Sequence, residues 1–155
     1  MKKIFLFIAL IFGASLITAC SIFQKKQVNQ NSDHSGNFDK TITEKYWKLT
    51  ELNGQPVSGD FNKEPHFILK KEDNRVTGNG SCNGFGGSYT LDEEKGRISF
   101  SNLFSTRMAC PDMSVEQAFM DVLSKVDNYS LHGDTLTLNK ARMAPLAKFE
   151  AVYFN

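Results

Sequence analysis

From Ile42 onward the apolar residues come in short runs separated by turn formers. Tyr46, Trp47, Leu49 and Leu52 make the first run, which Asn53-Gly54 ends, with Pro56 behind it. His66-Phe67-Ile68-Leu69-Lys70 is the second, closed by Glu72-Asp73-Asn74. Arg75-Val76-Thr77 and Gly87-Ser88-Tyr89-Thr90-Leu91 flank a glycine-rich stretch, and Arg97-Ile98-Ser99-Phe100 follows the turn Glu94-Lys95-Gly96. Tyr129-Ser130-Leu131 and Thr135-Leu136-Thr137-Leu138 sit either side of His132-Gly133-Asp134, the spacing of a hairpin. Ala147 to Phe154 makes the last run. Short strands with turn signals at this spacing predict an antiparallel sandwich or barrel.

One segment has a different period. Val115, Phe119, Val122, Leu123 and Val126 recur at the spacing of one helix face. Ser114 and Gln117 fit a capping box, and Asn128 is placed to end the helix. Glu116, Gln117, Asp121, Ser124 and Lys125 fall on the opposite, solvated face. The expectation is one α-helix over about 114–127, laid on or across a curled sheet: a mainly β (α+β) domain over 42–155. Phe85, Tyr89, Phe100, Phe104, Phe119 and Phe149 are expected to supply most of its core, each worth about 1.5–3 kcal/mol when fully buried.

The first 41 residues do not share this pattern. Lys2 and Lys3 precede an uncharged, mostly apolar run from Ile4 to Ile17. At roughly 14 residues it is shorter than the ~20 that span a bilayer, and it reads as a signal peptide over 1–19. Ile17-Thr18-Ala19-Cys20 resembles the lipobox of bacterial lipoproteins. The resemblance implies cleavage before Cys20 and thioether attachment of diacylglycerol to it, often with N-acylation; two or three chains anchor stably where one is marginal. Ser21 is not the aspartate that retains lipoproteins in an inner membrane, so a source with two membranes would carry the protein on its outer membrane, facing the periplasm. Residues 20–41 hold scattered apolar side chains without a period and read as a tether with a span of roughly 25 Å.

Charge excludes more than it assigns. The chain has 18 Lys and Arg against 17 Asp and Glu. Loss of Lys2 and Lys3 with the leader leaves 16 against 17, so no basic excess favours nucleic acid.

Two further segments are specific together. One is Gly80-x-Cys82-Asn83-x-Phe85-x-Gly87-x-Tyr89; the other is Thr106-x-Met108-x-Cys110-Pro111. Trp47 precedes them, and Glu116, Phe119 and Leu123 follow on the helix. In this order they resemble the META domain, also called the HslJ-like domain, of bacterial envelope proteins, over about 43–153. The resemblance implies a small antiparallel, partly open β-barrel with one helix. It implies heat-shock or envelope-stress association for some members and antibiotic tolerance or virulence for others. It does not imply a known catalytic site, and no cofactor is expected. Many members carry Gly where this chain has Ser81; Gly78 and Gly80 are expected to relieve the backbone there.

Candidate chemistry is sparse. Cys82 and Cys110 remain once Cys20 is lipidated, and an oxidising envelope favours a bridge between them. Closing a loop of about 29 residues is worth roughly 3–4 kcal/mol on a chain-entropy account. Free structural thiols and a redox pair are the alternatives, although a redox pair is usually Cys-x-x-Cys, which this chain lacks. Gly78 to Gly87 has no Gly-Lys-Ser/Thr opening a helix, so it is read as a bulge or tight strand connection, with Asn83-Gly84 suited to positive φ. His34, His66 and His132 are too dispersed for a metal site. No nucleophile elbow appears. Thr106-Arg107-Met108 reads as a rim strand with Met108 packed inward. These residues fit a non-catalytic envelope lipoprotein that works through contacts with an envelope protein, in stress tolerance or assembly. The alternatives are a pilotin-like carrier holding an acyl chain or amphipathic peptide in the barrel, and a redox or hydrolytic enzyme.

Overall fold

A computed structural model describes residues 40–154. The expected signal peptide over 1–19, Cys20 and nearly all of the expected tether lie outside the described residues. Nine strands and one helix follow in the order β1 (Tyr46–Leu52), β2 (Gln55–Pro56), β3 (His66–Lys70), β4 (Arg75–Asn79), β5 (Gly84–Asp92), β6 (Arg97–Ser105), α1 (Ser114–Lys125), β7 (Asn128–His132), β8 (Thr135–Asn139) and β9 (Ala147–Val152).

The main strands form one antiparallel sheet in the order β6-β5-β4-β3-β1-β9-β8-β7, with the two-residue β2 paired to β1. The sheet curls into a half-barrel. Its terminal strands approach each other where the Tyr129 N–H of β7 donates to the Gly96 carbonyl in the β5–β6 turn at 2.9 Å. Turn chemistry sets the corners: Asn53 (φ 51°) and Gly54 (φ 77°) turn β1 into β2, Gly96 (φ 59°) turns β5 into β6, and Gly133 (φ 58°) turns β7 into β8.

Period-2 alternation fills the interior. Trp47 and Leu49, Phe67 and Leu69, Ile98 and Phe100, Leu136 and Leu138, and Ala147 and Phe149 point inward from β1, β3, β6, β8 and β9. α1 closes the concave side with Phe119, which meets Phe85 edge-on at 5.5 Å and Phe149 at 5.6 Å. Phe67 in turn packs edge-on to Phe149 at 4.8 Å. The buried Trp47 indole donates to the Ile42 carbonyl at 2.8 Å, which ties the segment before β1 to the core.

Several local expectations are corrected. The helix ends at Lys125 and Val126 is already extended, so Asn128 opens β7 instead of capping α1. The capping box does not form. Met113 is the N-cap and Ser114 is inside the helix, where its N–H donates to Asp112 Oδ1 at 2.8 Å. Phe104 is 58% exposed and Met108 48% exposed. Phe104 leaves the core because β6 is irregular. Asn102 has φ 51° and the β5–β6 register shifts between Gly86 and Ser88, which breaks the in–out alternation beyond Phe100.

Candidate functional site

The glycine-rich stretch is a tight connection from β4 to β5 where backbones and side chains crowd. A Cβ at Gly78 would strike the His66 carbonyl oxygen and lie 2.7 Å from the Phe85 ring. A Cβ at Gly80 would strike Glu116 Cγ. Positive φ, expected at Asn83-Gly84, falls on neither of them; it falls on Ser81, at φ 156°. Gly78 and Gly80 serve close approach, and the unusual backbone conformation rests on a serine.

Glu116 is the centre of this corner. Helical periodicity puts it on the outer face, yet it is only 4% exposed. The β4–β5 turn folds over that face of α1 and replaces solvent with amides. Glu116 Oε2 accepts the N–H groups of Asn83 at 2.6 Å and Cys82 at 3.2 Å, and Oε1 accepts Asn83 Nδ2 at 2.9 Å. Asn83 carries the network onward. Its Oδ1 accepts the Thr106 hydroxyl at 2.8 Å and the Met108 N–H at 2.7 Å, while Nδ2 also donates to the Met108 carbonyl at 3.3 Å. Among the described residues no buried side-chain nitrogen or oxygen lacks a partner. The cluster therefore holds its polar groups closed on one another, as a structural network must.

Cys82 and Cys110 are joined by a disulfide with Cα atoms 6.3 Å apart. It fastens the irregular segment between β6 and α1 to the β4–β5 turn. On the opposite side the loop after β2 is pinned by the Lys63 N–H donating to the Ser81 carbonyl at 2.9 Å. Between the two segments lies a surface groove of about 700 Å³, lined by Asp60, Phe61, Met108, Cys110, Asp112 and Val115 among others. Asp112 is held below the usual carboxylate range by the Ser114 backbone N–H and then its hydroxyl. Among the described residues no Lys or Arg lines the groove.

The sequence-selected residues divide between two jobs. Trp47, Phe85, Phe119, Leu123 and Tyr89 are buried in the core, and the Tyr89 hydroxyl donates to the Lys70 carbonyl at 3.2 Å. Gly87 sits at the register shift, where a Cβ would meet Leu103 Cδ2 and the Ser101 carbonyl oxygen at 2.9 Å. Gly80, Cys82, Asn83, Thr106, Met108, Cys110, Pro111 and Glu116 gather at the corner beside the groove. Sequence reasoning missed Ser58 to Asn62, the facing wall, because an irregular polar loop carries no period or motif. His66 stacks on Tyr46 at 4.1 Å. Among the described residues no three His, Cys, Asp or Glu side chains cluster as a metal site would require.

A family model of the META domain matches residues 40–153, which takes in every strand, the helix and the corner. The chain belongs to the META domain family. Two solved structures share the fold of this META domain. One, described as an NMR structure of a protein, is 22% identical with a TM-score of 0.55, over 70% of this chain and 90% of its own. The other, an NMR structure of a protein from Burkholderia xenovorans, is 21% identical with a TM-score of 0.57, over 72% of this chain and 83% of its own. No curated protein matches the chain.

Proposed function

We propose that this META domain protein is a non-catalytic lipoprotein of the bacterial envelope that acts in stress tolerance or envelope assembly by gripping a protein segment in the groove beside Cys110. One observation carries the reading: the family-motif residues that do not build the core build one wall of that groove and lock it from behind through Asn83 and Glu116. A set of residues devoted to shaping a surface, with its polar groups already satisfied, suits recognition better than turnover. The exposed Met108 at the lip is a soft, adaptable contact for apolar side chains. Asp60 and Asp112 put negative charge on the rim, with no lining Lys or Arg among the described residues to offset it. The partner is therefore an extended segment with an apolar side chain flanked by Lys or Arg. A carrier that encloses an acyl chain is less well supported, because Phe67, Phe119 and Phe149 occupy the space between sheet and helix.

Two experiments test the parts separately. The anchor predicts that the mature N-terminal peptide begins at Cys20 with a diacylglyceryl mass, and that Cys20→Ala leaves the precursor uncut. A leader retained without acyl mass would sink the envelope assignment. The groove predicts that a photocrosslinker at Met108 captures a partner at a segment bearing Lys or Arg beside an apolar residue, and that Asp60→Lys with Asp112→Lys abolishes the crosslink. Capture that ignores the charge reversal, or capture of lipid or a second copy alone, overturns the groove reading.

A further inference from the structure

We propose that the Cys82–Cys110 disulfide is a thiol-exchange site, attacked at Cys110 by a dithiol reductant, whose opening frees one wall of the groove while the half-barrel stays folded. The proposal does not depend on what the groove binds.

The two sulfurs are unequal. Both line the groove, but Cys82 is 1% exposed beneath the corner, whereas Cys110 is half-buried on an otherwise exposed segment. Thiol–disulfide exchange requires a thiolate to reach one sulfur, so access selects Cys110. The other sulfur is placed to leave: Cys82 Sγ lies 3.9 Å from the Met108 carbonyl oxygen, an acceptor for the S–H it becomes.

The exchange balances with the dithiol alone. Its first thiolate forms a bond to Cys110 Sγ as the Cys82–Cys110 bond breaks, and the electron pair passes to Cys82, which takes a proton. The second thiolate of the reductant then attacks the first, releasing Cys110 as a thiol. The reductant ends as its own disulfide, and the protein gains two electrons and two protons.

What such a step would release is set by the contacts on either side. Upstream, Thr106 and Met108 stay pinned to Asn83, which is itself held by Glu116. Downstream, α1 begins at Ser114 and is buried through Phe119, Val122 and Leu123. Among the described residues, Ala109–Met113 make no hydrogen bond to a strand. Asp112 and Met113 are tied to the start of α1 by the N–H groups of Ser114 and Gln117; for Ala109–Pro111, apart from a 4.0 Å approach of Asn62 Nδ2 to Cys110 Sγ, the disulfide is the fastening. Loss of the bond thus unfastens a wall without touching the network behind it, the condition for local rather than global opening.

The test uses the purified oxidised protein under native conditions. Glutathione, a monothiol that stops at the first step, is expected to appear on Cys110 and not on Cys82 by peptide mass mapping. Full reduction with dithiothreitol is expected to raise the rate of limited proteolysis within residues 109–113 by roughly tenfold or more, with amide exchange through β4, β5 and α1 unchanged. Glutathione on Cys82, or no reduction without denaturant, overturns the site. A rise in exchange through β4, β5 and α1 together overturns the local release and makes the bond a plain staple.

Discussion

Glu116 Oε2 accepts the backbone N–H of Asn83 at 2.6 Å while Oε1 accepts the same residue's side-chain amide at 2.9 Å, so one buried carboxylate grips one asparagine twice. With the Cys82 N–H, three donors converge on two oxygens. Glu116→Gln replaces one of those oxygens with an amide nitrogen that presents hydrogens to a donor. At least one buried N–H then loses its acceptor, which costs about 2–3 kcal/mol for a bond to a charged group. For a domain of this size the melting temperature should fall by roughly 8–12 °C. Urea unfolding of Glu116→Gln within a few tenths of a kcal/mol of wild type would mean the network is not as described.

The glycines of the β4–β5 connection should separate sharply by what surrounds them. Gly78→Ala drives a methyl into the His66 carbonyl oxygen, and two paired strands cannot part without losing ladder bonds. A loss of about 3 kcal/mol or more is expected, at the upper end of overpacking effects. Gly84→Ala meets only the Gly78 carbonyl oxygen at 3.8 Å and has no positive φ, so it should be neutral or stabilising by up to about 1 kcal/mol. Gly80→Ala clashes chiefly with the Glu116 stem, and its cost should shrink by about 1 kcal/mol or more in a Glu116→Ala background, measured as a double-mutant cycle.

These residues also mark where the sequence is readable. Alternation along β3 and β8 and the turn formers at Asn53-Gly54, Gly96 and Gly133 foretell strands and corners because each depends on its own neighbours. The helix is legible for the same reason. Glu116 is misread because helical period ranks residues by face and does not show what will cover a face. A turn distant in sequence by more than 30 residues supplies the three donors that make its burial tolerable. Phe104 is misread because a bulge at Asn102 resets the register, and no composition signal marks a bulge held by a non-glycine; Met108 is misread because β6 ends at Ser105, so the expected rim strand over 106–108 does not form. The corner was visible as a motif, but its partner wall at Asp60 to Asn62 was not, since that wall is defined only by proximity.

Ser81 holds φ 156° while buried in the corner, apart from the other non-glycine residues with positive φ, which lie at 48–57°. A glycine there is free of the Cβ that makes this region unfavourable, a relief of about 1–3 kcal/mol. Against it stands the extra freedom glycine gives the unfolded chain, about 0.4–1 kcal/mol. Ser81→Gly should therefore raise stability by about 1 kcal/mol, read as a higher denaturant midpoint at unchanged slope. Ser81→Ala keeps the Cβ and should show no such gain, which separates backbone relief from loss of the hydroxyl.

Acid should unfasten the turn between β8 and β9 through Asp127. Its Oδ1 accepts the Ala141 N–H at 2.8 Å and Asn128 Nδ2 at 2.7 Å, and Lys140 Nζ lies 3.3 Å from Oδ2. These donors, the Ala141 amide first, hold the Asp127 carboxyl down to about 2 from an ordinary 3.8. Because the folded value is the lower one, the unfolded chain takes up the proton first as pH falls. The stabilisation is complete above about pH 4 and drains away between about pH 4 and pH 2. Asp127→Asn keeps one acceptor oxygen but never carries the charge. The stability gap between wild type and Asp127→Asn should accordingly be widest near neutral pH, narrow through that window and close at about pH 2. Urea midpoints taken across the range check it, and a gap that stays constant would show that the Ala141 turn is held by something other than the ionised carboxylate.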